Sequence, residues 1–487
     1  MISFILSLAA LVIGYFFYGR FVERVFGPDD RITPAVAKAD GVDYIVLPNW
    51  KIFMIQFLNI AGTGPIFGAI MGAKFGPSCY LWIVLGCIFA GATHDYLSGM
   101  LSMRNGGSGL PVLVGKYLGQ AAKKIMLVFT VLLLIMVGTV FVYSPAVILE
   151  SIGGSSMMWV FVIFIYYVVA TMLPIDKVIG KIYPLFAISL LFMALALMVI
   201  LLIEMPRLPE FWDGLDNMAV KTDISWTDNI FPCLFITVAC GAISGFHATQ
   251  SPLMARCVKS EKMGRPIFYG SMITEGIVAL IWATVSMYFF YGEPTPGYHV
   301  LEAARETGFH TSAPAVVNII CNDWLGVVGG VLALLGVVAA PITSGDTAFR
   351  SARLIIAENI SIGQKNILQR FYISVPLFVV SIMFLLWQIG NPDGFNIIWQ
   401  YFGWANQALS VFTLWTLTVY LVRENKCYII ALIPALFMTT VCATFLFASR
   451  QVFHMDAQVA YALGTLVFVI ATVWFRMWYG KYKKSQN

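Results

Sequence analysis

Ala239-Cys240-Gly241-Ala242-Ile243-Ser244-Gly245-Phe246-His247 interrupts an apolar run that opens near residue 229 and closes near 250. Such a run is long enough to cross a bilayer, which takes roughly 20 apolar residues. Its glycines and serine fall in the middle, where unwound backbone is tolerated only if buried in protein or lining a cavity. A second interruption, Asn59-Ile60-Ala61-Gly62-Thr63-Gly64-Pro65, lies inside the run 51–72. At 1.5 Å per residue, Gly62 sits about 16 Å from the inner end of its helix and Gly241 about 18 Å from the outer end of its own. Both breaks are therefore expected near the bilayer midplane.

The rest of the chain agrees with a membrane setting. Of 487 residues, 59% are hydrophobic and 11% charged, with a mean hydropathy of +0.82, whereas soluble domains carry about a quarter charged residues. An ordinary soluble enzyme is excluded, and the net charge of +5 is assigned to topology rather than to a nucleic-acid partner. The eight cysteines form no C-x-x-C pair and read as small core residues, with no metal or cofactor expected. Met1 to Tyr18 has no basic n-region or cleavage site and reads as a retained helix.

Apolar runs between polar or Gly/Pro breaks predict helices near 2–18, 51–72, 78–102, 124–149, 157–173, 178–204, 229–250, 266–291, 325–345, 371–389, 395–422, 427–448 and 457–479, about thirteen spans. Alternating the loops places all but Lys74, Arg207, Lys221, Arg305 and Arg450 of the 30 basic residues on one side. By the positive-inside rule that side is cytoplasmic, with the C-terminus inside and the N-terminus outside. Two outer loops are long: the acidic 205–228, and 293–324 with an expected short helix around Leu301 to Glu306.

The two breaks lie five helices apart and run oppositely across the membrane, the mark of an inverted five-plus-five repeat. The expected class is an all-α polytopic membrane protein of LeuT-like design. It is one transmembrane domain over 1–487, with repeats 51–204 and 229–422 and accessory helices in 427–479. Freed amides at such breaks hold anions and freed carbonyls hold cations. The candidate substrate-binding residues are thus Ala61, Gly62, Thr63, Gly64, Cys240, Gly241, Ser244, Gly245 and His247. Close helix packing is the plainer reading of the same glycines. Thr343 and Ser344, read as the C-terminal end of the ninth helix, match a sodium site of LeuT-like carriers by analogy.

Ionisable groups at membrane depth are costly and mark function. His94, Asp95, Glu275 and Asp346 are the proton-coupling candidates, since a buried carboxylate or imidazole can take and release a proton. Structural alternatives stand beside these: Asp95 as a salt bridge to Arg104 or another inner basic group, Glu275 as a helix–helix hydrogen bond, His247 as a packing residue. Asp346 could be a surface ion pair with Arg350 at i+4, and Lys181 an interfacial lysine or a stand-in for a coupling cation.

Ala61-Gly62-Thr63-Gly64-Pro65, Gly91 to Tyr96, the tract Phe231 to His247, Asp346 to Arg353 and Phe402-Gly403-Trp404-Ala405-Asn406-Gln407 together resemble the carbon starvation protein A (CstA) family from about Pro34 to Arg423. The resemblance implies an inner-membrane secondary transporter of the amino acid/polyamine/organocation type, linked to peptide uptake during carbon starvation and, in one branch, to pyruvate import with protons. It supports Gly62, Gly64, Gly241, Gly245 and His247 as the binding centre and matches acidic family positions at Asp95 and Asp346. The chain departs from long members by lacking their insertion between helices eight and nine. It also has Met54-Ile55-Gln56 in place of a histidine pair, and Ala248-Thr249-Gln250-Ser251-Pro252 after His247. The function expected is import of a small carboxylate, pyruvate or a short peptide, coupled to protons. The alternatives are sodium coupling or a sensor without transport. A membrane haem protein is disfavoured by the scarcity of histidines within spans.

Overall fold

The computed structural model describes the chain except residues 151–152, 174, 219–228, 292–312, 365, 392–393, 450–451 and 487, and leaves undescribed the side chains of 175–182, 327–334, 394–397 and 400. The expected helix around Leu301 to Glu306, Lys221, Asp223, Asp228, Arg305, Arg450 and the side chain of Lys181 lie outside the described residues.

Among the described residues the regular secondary structure is helical, with no strand. In chain order we label α1 (Ile2–Phe26), α2 (Asn49–Ile60), α3 (Gly64–Ala73), α4 (Ser78–Arg104), α5 (Leu110–Leu118), α6 (Gln120–Glu150), α7 (Ser156–Met172), α8 (Ile175–Glu204), α9 (His247–Ala255), α10 (Glu261–Tyr291), α11 (Ala313–Ile360), α12 (Ile367–Gly390), α13 (Gly394–Arg423), α14 (Ile429–Ala448) and α15 (Ala457–Lys484). Among the described residues nine helices are long and apolar enough to span a membrane, or ten if α2 and α3, bent by 53°, count as one. Burial orders them from centre to rim. In α10 89% of the apolar window is buried and in α4 83%, against 17% in α15. The first two form the core, and α15 turns apolar side chains outward as lipid requires.

The run 229–250 is interrupted where the sequence places its break: short helical pieces end at Thr237, residues 238–246 are irregular, and α9 starts at His247. One helix end differs from the sequence reading. The ninth helix does not stop near Gly345, because α11 continues to Ile360. Thr343 and Ser344 are therefore interior helical residues and not a C-terminus. Pro341 is accommodated within α11, where it leaves one backbone bond unmade.

The basic segments gather at one end of the bundle. The Glu261 carboxylate accepts from Arg104 Nε (3.1 Å) and Nη2 (3.0 Å) and from the Asp29 amide (3.1 Å), while Arg265 pairs with Glu23 (2.7 Å). Ser3 lies at the opposite end of α1 from these contacts, and its amide donates to Glu210 (2.6 Å).

Candidate functional site

The two interruptions meet face to face. After Ile60 the backbone leaves the helix at Ala61 (φ −80°, ψ 56°) and resumes at Gly64. In the second, Val238 leaves the helical region and Gly241 takes φ +90°, a conformation L side chains rarely adopt. A Cβ on Gly64 would run into Cys240, and one on Gly241 into the Ala279 methyl of α10. Glycine at these two positions lets the broken stretches touch each other and α10.

The ionisable residues assemble around that contact. Asp95 of α4 is clamped between two imidazoles: its Oδ1 lies 2.8 Å from His94 Nδ1 and its Oδ2 2.8 Å from His247 Nδ1. His247, the first residue of α9, turns Nε2 toward Glu275 of α10, 3.5 Å from Oε2. All four side chains are fully buried. With each Nδ1 hydrogen donated to Asp95, the second nitrogen of His247 faces Glu275 and can share a proton with it. Among the described residues, neither carboxylate oxygen of Glu275 nor His247 Nε2 has a hydrogen-bond partner. Buried polar atoms left in that state cost roughly 1–3 kcal/mol each and mark places where a proton, water or ligand binds. Cys240 Sγ joins them: ligand atoms of Cys240, His247 and Glu275 lie within 4.8 Å of one another, donors that could also gather round a divalent ion.

The alternative partner for Asp95 is overturned, since Arg104 binds Glu261 instead. Asp346 is not a surface residue. It is fully buried and accepts from Tyr183 Oη at 2.6 Å. The i+4 guanidinium of Arg350 donates to the carbonyls of Ala170 and Leu173. Ser344 reaches the first break, donating to Leu58 O (3.2 Å) and Asn59 O (3.1 Å), whereas Thr343 bonds back to Ala339 and Ala340 of its own helix.

Asn406 of α13 is a site residue that the sequence reading does not include. Its Oδ1 accepts from Ser244 Oγ (3.0 Å) and the Phe246 amide (2.7 Å), and its carbonyl accepts from the Gly245 amide (3.2 Å). The last of these bonds ties the unwound stretch directly to the backbone of α13. Trp82 Nε1 donates to the freed Val238 carbonyl at 2.9 Å. The backbone groups of the second break are thus largely satisfied by protein. The signals for Asn406 in the sequence are a polar Asn-Gln pair inside an apolar span and its place in the Phe402–Gln407 motif. Around the first break, by contrast, both amide atoms of Gln56 and Asn59 and the Thr63 hydroxyl are buried without a partner among the described residues.

A polytopic helical membrane protein built on discontinuous helices, with a buried ionisable centre where they cross, is the class these features define. The chain belongs to the carbon starvation protein CstA family, whose model matches residues 1–150, 142–304 and 299–445. An uncharacterized membrane protein of Haemophilus influenzae is 44% identical over 60% of this chain and 91% of its own length. The peptide transporter CstA of Escherichia coli is 25% identical over 93% of this chain and 81% of its own. That of Mycobacterium tuberculosis strain H37Rv is 27% identical over 92% and 75%. Among solved structures, a manganese transporter of Eremococcus coleocola shares the fold with a TM-score of 0.55 at 10% identity, covering 91% of this chain and 98% of that one.

Proposed function

We propose that this protein is a secondary active transporter of the cytoplasmic membrane that imports a small carboxylate nutrient, a short peptide or pyruvate, together with protons. The hydrogen-bonded chain His94–Asp95–His247, continued by the Glu275 contact, carries this reading. It joins α4, α9 and α10 at the crossing of the two breaks, so a proton gained or lost at Glu275 alters the contact that holds the second break in place. The unpartnered amides of Gln56 and Asn59 and the Thr63 hydroxyl supply neutral donors and acceptors for the substrate. The names of the relatives favour peptides as substrates.

In this scheme 51–204 and 229–422 are the inverted repeats of a LeuT-like carrier with about thirteen spans, the basic end faces the cytoplasm, and the N-terminal end lies outside. A sodium-coupled variant is favoured by one observation, the Ser344 hydroxyl resting on the Leu58 and Asn59 carbonyls. Uptake of labelled pyruvate into proteoliposomes under an imposed pH gradient, with and without sodium and with di- and tripeptides as competitors, tests both. Accumulation that follows the pH gradient without sodium supports proton coupling. Loss of all flux for pyruvate and peptides alike sinks the transport reading.

A further inference from the structure

The basic end of the bundle holds a second buried cluster that the proposed reaction does not use. Arg350 and Arg353 lie on consecutive turns of α11 and are both fully buried. The two Nη atoms of Arg350 donate to the Leu173 carbonyl (2.9 Å) and the Ala170 carbonyl (2.6 Å), closing the end of α7. Arg353 Nη1 bonds Gln364. Its Nε and Nη2 have no hydrogen-bond acceptor among the described residues, and neither has Arg350 Nε. The Nε–Nη2 edge of a guanidinium is a fork that takes a carboxylate through two parallel bonds, and on Arg353 no described residue fills that edge.

One carboxylate faces the pair without filling it. Asp43 Oδ1 lies 3.6 Å from Arg353 Nη2 and 3.9 Å from Arg350 Nη1, and it accepts no hydrogen bond from the described residues. Asp43 belongs to a turn fastened by its own bonds: Asp40 Oδ1 accepts from the amides of Val42 (2.8 Å), Asp43 (3.0 Å) and Tyr44 (2.9 Å). The turn therefore sets the position of Asp43 and holds it short of the guanidinium fork. Charge-assisted hydrogen bonds form at about 2.7–2.9 Å, so a carboxylate free to approach makes bonds that Asp43 does not.

The cluster also shares a helix with Ser344, which touches the first break. Along α11, Arg350 stands about 9 Å and Arg353 about 14 Å beyond Ser344, toward the basic end. Ser351 donates to the Thr249 carbonyl of α9 at 3.2 Å, packing this turn against the helix that begins at His247.

We propose that Arg350 and Arg353 form a second carboxylate-binding site between the centre and the basic end, which Asp43 covers as a resident stand-in and which an arriving substrate carboxylate takes over. Displacing Asp43 frees the segment 40–47 from the guanidinium pair of α11, so that it loosens against the bundle while the Asp40 bonds keep the shape of the turn itself. This rests on the reading of the substrate as a carboxylate.

Hydrogen–deuterium exchange of the full chain in nanodiscs tests the site, comparing potassium acetate, the bare carboxylate, with potassium chloride at equal ionic strength. In the wild type, acetate is expected to raise exchange of the segment 40–47 saturably, while chloride does not. Asp43→Asn, nearly the same shape, should already exchange fast and ignore acetate. Arg353→Lys keeps the charge but loses the fork, and should need about tenfold more acetate, the effect of one unmade charge-assisted bond. Equal responses to acetate and chloride, or an Asp43→Asn protein that exchanges like the wild type, overturn the proposal. The outcome is separable from transport: an acetate response in a protein without pyruvate or peptide flux keeps the site and sinks the carrier reading, and flux without the response does the reverse.

Discussion

His247 and Asp95, 152 positions apart in the chain, meet through an Nδ1–Oδ2 contact of 2.8 Å with both side chains fully buried. Because Asp95 holds His94 through its other oxygen at 2.8 Å, one carboxylate orients two imidazoles. It also fastens the first turn of α9, where the second break ends, to α4.

Asp95→Asn removes the charge and leaves a single acceptor oxygen for two rings. Breaking a buried pair from one side costs roughly 3–5 kcal/mol. We expect a lower unfolding temperature in detergent and uptake reduced at least about tenfold, one decade per 1.4 kcal/mol of lost stabilisation. Wild-type uptake in this variant would show that the clamp has no part in transport.

Glu275→Gln tests where the coupling proton resides. A glutamine at this position is neutral at every pH, so uptake that rises in the wild type as the outer pH falls should become independent of pH. A pH profile unchanged from wild type would move the proton to His94, Asp95 or Asp346.

Gly64→Ala places a methyl group against Cys240. Overpacking of this kind costs about 1–3 kcal/mol, and we expect reduced thermal stability and uptake. Cys240→Gly in the same chain should recover most of both, because it removes the side chain that is struck. Gly241→Leu, at φ +90° against Ala279, should insert in the membrane yet fail to transport; normal uptake would refute a functional second break.

Ser344→Ala separates sodium from proton coupling. Losing the hydroxyl costs about 0.5–1.5 kcal/mol of hydrogen bonding to the first break. In a proton-coupled carrier the uptake of this variant stays indifferent to replacing sodium by choline. A sodium requirement in the wild type that Ser344→Ala abolishes would establish the cation site.

Much of the architecture was legible because membrane burial imposes local rules. Apolar runs mark helices, and Gly62, Gly64, Gly241 and Gly245 sit mid-run where nothing but a break or a close contact explains them. Pairings were less legible. Arg104 lies nine positions from Asp95 and offered the nearer partner in sequence, yet its guanidinium reaches Glu261, 157 positions away. Asp346 and Arg350 have the spacing of a surface pair, but α11 runs on to Ile360 and buries both. Asn406 stood out locally as a polar residue in an apolar span but without its partner, because the backbone amide that its side chain satisfies comes from a segment 160 positions earlier.

Hydropathy and helix-breaking glycines are properties of short stretches of chain, and from them the membrane class, the two interruptions and the family resemblance could be read directly. Which carboxylate meets which imidazole, and which freed carbonyl finds a tryptophan or a serine, depends on how distant helices pack. In a dry interior each polar atom must find a partner or remain costly, and that partner comes from whichever helix lies within about 3 Å. Packing thus joined Asp95 to His94 and His247, and left the side-chain polar atoms of Glu275, Gln56 and Asn59 without a hydrogen-bond partner among the described residues.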